Sequence, residues 1–237
     1  SADQSEIIII PVPWEVTVSY AAGASDGPNA VLDASFQVDL HHQEFPDLWK
    51  LGMYLAEIPD AWKANSDHYK ALAQPIIEAL EEGKDITQFP ELVESLNQIN
   101  AACRNLHTEV KDTVLHWMNQ GKKVALLGGD HSTPLGYYEA LATKHSDFGL
   151  LHLDAHMDLR IAYEGFTYSH ASIMYNALQI PQISKIVQVG IRDFCVQEVE
   201  VVQQQNGRVL VHTDADLKQE TFEGKTWQSQ CEAIIQS

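Results

Sequence analysis

The chain has 237 residues, 45% of them hydrophobic, and its 15 Lys and Arg face 33 Asp and Glu for a formal charge of −18 at pH 7. That apolar share fills a buried core and excludes a disordered tail or a fibrous repeat. The negative balance excludes a nucleic-acid groove, disfavours an anionic membrane surface, and serves either solubility or the steering of a cationic substrate.

Ile7 to Ile10 reads as a buried strand closed by Pro11 and Pro13, and Asn29 to Ala34 as a helix after Asp26, Gly27 and Pro28. Phe36 to Leu40 is expected to be a second strand. Residues 45 to 100 lack strand-like runs and are punctuated by Pro46, Pro59, Pro75 and Pro90, which predicts short helices in an insertion. From Leu92 to Gln120 the apolar positions recur at helical spacing, with Gly121 as a cap. A regular alternation follows: strands at 124–127, 148–153, 186–189 and 208–211, and helices at 134–144, 171–178, 196–205 and 227–235. Apolar strands separated by helices predict an α/β class, with a mostly parallel, doubly wound sheet buried on both faces. The chain is read as one domain over 1–237, with 45–100 inserted in it.

Cys103, Cys195 and Cys231 are odd in number and far apart, which suits a reducing, cytoplasmic setting. No apolar run reaches the roughly 18 to 20 residues of a membrane span, and the acidic start differs from a signal peptide.

In an open parallel sheet the ligand crevice lies at the carboxyl ends of the strands. One such loop is Gly128-Gly129-Asp130-His131-Ser132, where the glycines allow close backbone approach and His131 is either a metal ligand or a hydrogen-bonded loop residue. Another is Asp154-Ala155-His156-Met157-Asp158. In an extended chain alternate side chains share a side, so Asp154, His156 and Asp158 converge, and a divalent cation compensates three costly polar burials; the alternative is carboxylates that accept backbone hydrogen bonds at a strand end. Two imidazoles and two carboxylates suit Mn, Fe, Co, Ni or Zn, with manganese the first choice. His152 reads as an orienting or core neighbour, with direct ligation as the alternative, and Asp130 as an orienting neighbour. His170, at a predicted helix start, is a candidate general acid/base or a local hydrogen-bonder. Arg160, Tyr163 and Glu164, in the loop from Leu159 to Tyr168, either read the substrate's tail or form a solvated loop.

The Gly-Gly-Asp-His-Ser segment, Asp-Ala-His-Met-Asp after it and then Ser169-His170 resemble the ureohydrolases: arginase, agmatinase, other guanidino-acid hydrolases and formimidoylglutamase. The Pro13 to Pro28 stretch and the Gly190-Ile191-Arg192 turn are similar too, so the resemblance covers most of the chain outside 45–100. It implies an arginase-like sheet holding two manganese ions that share a hydroxide, which attacks the guanidinium carbon. Carried over residue by residue, His131, Asp154 and Asp158 bind one ion, while Asp154, His156 and Asp158 serve the second or bridge the two. The catalytic roles fall to Asp158 and to His170, which protonates the leaving amine.

The family's later Ser-x-Asp-x-Asp and Asp-Pro motifs are not found before Ser237. Asp214 and Asp216 have part of the spacing and are expected in a loop, so the chain reads as the amino-terminal two thirds of a ureohydrolase. The leading expectation is a metal-dependent hydrolase of a small cationic guanidino or formimidoyl compound, agmatinase-like or acting on a guanidino acid through Arg160. The alternative is a non-catalytic relative with a partial metal site, serving as a binding or assembly subunit. The family implies a homo-oligomer, trimer or hexamer, and no nucleic-acid or membrane partner is expected.

Overall fold

The computed structural model describes residues 1–237. It resolves into two compact units, Ser1–Ala140 with Ala162–His170, and Leu141–Ile161 with Ala171–Ser237.

The first unit is built on a three-stranded parallel sheet with β1 (Ile7–Val12) between β2 (Met53–Leu55) and β3 (Lys123–Gly128). Ile8, Ile10 and Val12 of β1 are almost inaccessible, as expected of a central strand in a parallel sheet. Pro11 is tolerated there because of strand alternation. Ile7 N–H and Ile9 O bond on the β2 side, so the missing Pro11 N–H falls on that side too, beyond the last β1–β2 pair, Ile9 with Leu55. The helices are α1 (Gly27–Ser35), α2 (Asp60–Glu81), α3 (Pro90–Asn119) and, up to Ala140, α4 (Leu135–Lys144). Along α3, Ile99, Ala102, Cys103, Leu106, Val110 and Val114 form one buried stripe at helical spacing, packed with Ile76 of α2 and Ile8 of β1.

Two local expectations are corrected here. Phe36 to Leu40 is not a strand: Phe36, Val38 and Leu40 are exposed and nothing pairs with them. The strand beside β1 is Met53–Leu55, inside the stretch expected to hold only helices; at three residues it is too short to leave a periodic signal.

The second unit has its own parallel sheet, in which β5 (Ile183–Ile191) lies between β4 (Phe148–Leu153) and β6 (Val209–Thr213). With it come α5 (Ile173–Ala177), α6 (Val196–Gln204), α7 (Asp214–Phe222) and α8 (Trp227–Gln236). Ile234 of α8 packs with Val187 and Val189 of β5 and with Leu217 of α7. Burial on both faces, expected of every strand, holds for β5 and fails for β4, where Leu151 and Leu153 stay exposed. Asp214 and Asp216 also depart from the expected loop, since they open α7, with Thr213 Oγ1 accepting from Asp216 N–H at 3.1 Å as its cap. No helix is long and apolar enough to cross a membrane.

Candidate metal centre

In the second unit the chemistry gathers where β4 ends. His152, Asp154 and Asp158 bring ligand-type atoms within 4.8 Å of one another. His152 and Asp158 are buried there. Carboxylates packed this closely in a partly desolvated site repel, and a divalent cation offsets that repulsion with the oxygen donors it prefers. The donor set therefore fits a metal.

His152 has a defined role in this group. Gln188, buried in β5, places Nε2 at 2.6 Å from Met157 O and 2.9 Å from His152 Nδ1. The contact to a carbonyl identifies that Gln188 atom as the amide nitrogen, so Nδ1 of His152 accepts and the neutral ring carries its proton on Nε2. Nε2 faces Asp154 Oδ2 at 3.4 Å. In this tautomer His152 turns an N–H toward Asp154 and lends no lone pair to an ion, which leaves the carboxylates as the donors at this position.

The chain does not continue as a strand past Leu153. The Asp154 carboxylate accepts from His156 N–H at 2.9 Å, a tight turn that breaks the alternation on which a shared side for Asp154, His156 and Asp158 depended. Asp158 takes a left-handed backbone, φ 52°, held by its carbonyl accepting from Met174 and Tyr175 N–H at the start of α5. His156 lies outside the tight cluster: its side chain is 58% exposed, with Nδ1 at 3.5 Å from Asp154 Oδ1 and Nε2 at 3.7 Å from Asp193 Oδ2. Arg160 Nε is 3.8 Å from Oε2 of the buried Glu198, whose carboxylate also accepts from Leu159 and Cys195 N–H.

The first unit carries the other candidates. Gly129 sits where an added Cβ would lie 2.3 Å from Trp14 O and 2.5 Å from Val12 O, so only glycine lets the loop press on the end of β1. Asp130 N–H then donates to Trp14 O at 2.8 Å, and Asp130 Oδ1 accepts from Ser132 N–H and Oγ. Burial pushes the Asp130 carboxyl up. This lattice fixes the backbone on both sides of His131. Tyr163 and Glu164 fall in one 3-10 turn, Tyr163–Gly165, with Glu164 at φ 56°. His170 begins another short turn and contacts Thr17.

Sequence reasoning missed Gln188, Glu198 and Thr17. Gln188 had a visible signal, a lone amide in an apolar strand, while Thr17 had none.

A sequence profile of the arginase family matches residues 5–224. An N(1)-aminopropylagmatine ureohydrolase of Thermus thermophilus is 30% identical over 190 residues, 80% of this chain and 52% of that protein. The enzyme of the same name from Synechocystis is 27% identical over 203 residues, 84% of this chain and 55% of its own length. The chain thus spans about half the length of these relatives. Among solved structures, agmatine ureohydrolase of Thermoplasma volcanium aligns with a TM-score of 0.65 at 21% identity, covering 92% of this chain and 60% of that one. At that identity the match supports the fold, an α/β arrangement of parallel strands flanked by helices.

Proposed function

Because the chain belongs to the arginase family, we propose that it is a metal-dependent hydrolase of a guanidino compound, releasing urea and an amine. The observation that carries this reading is the grouping of the half-buried Asp154 with the buried Asp158 and His152 at the end of β4. The relatives' names, an aminopropylagmatine and an agmatine hydrolase, favour an agmatine-like cation, and a chain of formal charge −18 attracts one.

Asp154 and Asp158 would hold the ion, with His131 and His156 as the further ligands carried over from the family pattern, and manganese is the metal proposed. When a divalent cation is bound, the chemistry it supplies is a water activated for attack on the guanidinium carbon. His152 keeps the Asp154 carboxylate oriented throughout. His170 moves a proton to the leaving amine through Nε2, and Arg160, Tyr163 and Glu164 contact the substrate's tail. A homo-oligomer, trimer or hexamer, and a cytoplasmic setting complete the proposal; the thiols of Cys103, Cys195 and Cys231 are free, as a reducing compartment requires.

The test is metal analysis of the Mn(II)-reconstituted chain, followed by urea release from agmatine, N(1)-aminopropylagmatine and arginine. Metal uptake with urea from the first two supports the reading. A metal-loaded chain that releases urea from no guanidino compound overturns it and leaves the binding-subunit alternative.

A further inference from the structure

We propose that Thr17 is the positioning residue for His170, holding the neutral ring with Nδ1 as an acceptor and the proton on Nε2. The inference rests on the proposed function for the purpose of that proton, and on geometry alone for where the proton sits.

Thr17 is 1% exposed, and its Oγ1 has two partners, His170 Nδ1 at 3.2 Å and His170 backbone N at 3.3 Å. A hydroxyl has one proton and two acceptor sites. The backbone N–H can only donate, so it occupies one acceptor site. If Nδ1 carried a proton it would occupy the other, and the buried hydroxyl proton would be left with no acceptor, the costlier state of a buried polar group. Donation from Oγ1 to Nδ1 satisfies every group. Nδ1 is then closed to metal ligation and to proton transfer, and Nε2 is the working atom.

Each half of this contact is anchored separately. Beyond β1 the buried segment 13–17 is held through Glu15, whose N–H donates to Ser66 Oγ at 2.9 Å. The Glu15 carboxylate accepts from Gly23 N–H, Ser25 N–H and the Lys70 ammonium. Thr17 follows that anchor by two residues, in the bend that comes after it. On the other side, Asn100 of α3 accepts from Thr167 N–H at 2.8 Å and donates to Gly165 O at 3.3 Å, and Tyr168 packs edge-on against His107 with ring centroids 5.0 Å apart. Thr17 and His170 are 153 positions apart in the chain, and the hydroxyl joins two segments that neither anchor alone would register.

The test is the ring 15N spectrum of His170 in the metal-free 237-residue chain, above the pH at which the ring titrates, with the signals assigned by their loss in His170→Gln. The expected result is one protonated nitrogen, Nε2, in the wild type and in Thr17→Ser, and mixed tautomers in Thr17→Val, which keeps the shape and removes the hydroxyl. In the Mn(II)-loaded protein, Thr17→Val should lower kcat for urea release by about tenfold or more, with KM little changed and Thr17→Ser restoring most of the loss. A wild-type ring protonated on Nδ1, or wild-type shifts retained in Thr17→Val, overturns the proposal. If Thr17→Val does not fold, the wild-type and Thr17→Ser spectra decide it. Absence of urea release in the wild type sinks the functional reading alone, because the tautomer is read without turnover.

Discussion

The side-chain amide of Gln188 lies 2.9 Å from Nδ1 of His152, and both residues are buried. One amide group thereby sets the tautomer of the imidazole that faces Asp154. Gln188→Leu fills similar space, leaves His152 Nδ1 and Met157 O without their donor, and should destabilise the fold by about 1–3 kcal/mol. Freed from its fixed tautomer, His152 would also hold Asp154 less well, so Mn(II) affinity should drop by about 10- to 100-fold. Thermal melts and metal titration check the two effects separately.

Asp158 combines a buried carboxylate with a left-handed backbone. Asparagine adopts that backbone readily and carries no charge, so Asp158→Asn should lose Mn(II) uptake while the metal-free protein melts no lower than the wild type. Asp158→Ala should melt lower, because alanine tolerates a positive φ poorly. Melting curves with and without Mn(II) separate charge from backbone.

Glu15 anchors the segment that carries Thr17. Burial by itself would raise its carboxyl, and the Lys70 ammonium with the Ser25 and Gly23 amides outweighs that and holds it below the ordinary carboxylate value. A carboxyl lowered by folding contributes stability that is present above the ordinary value and lost as the pH falls through the lowered one. Stability should therefore decline through that acid window in the wild type and decline less in Glu15→Gln. At neutral pH the variant should be less stable by about 1–3 kcal/mol, the range for leaving buried donors short of a charged acceptor, because Lys70 is partly exposed and keeps its own solvation. Denaturant melts across the acid range check both.

Cys103 lies in the buried stripe of α3, and burial first, then the nearby Asp130 charge, pushes its thiol up to about 12. The thiolate is the reactive form, so iodoacetamide at pH 8 should spare Cys103 in the folded protein and modify it once denaturant is added. Peptide mass spectrometry reads the site directly, and rapid labelling of Cys103 in the folded protein would contradict its placement.

Much of the fold was legible because the signals were local. The apolar runs of β1, β3, β4 and β5 and the helical spacing of α3 survive in the structure within a few residues. Met53–Leu55 was hidden because its pairing with β1 is a long-range event, and Phe36 to Leu40 misled because apolar composition alone does not secure a partner strand.

The sequence by itself determined the α/β class, the two ligand-rich loops after β3 and β4, and the presence there of His131, Asp154, His156 and Asp158, since residue type and strand ends are written in neighbouring positions. Only the tertiary structure decided which atoms of those residues are available. The turn after Leu153 carries the His156 ring out toward Asp193, Gln188 from β5 settles the proton of His152, and Thr17 from beyond β1 settles that of His170. A hydrogen bond that fixes a tautomer joins groups far apart in the chain, and its donor is known only when the fold has brought both ends within reach.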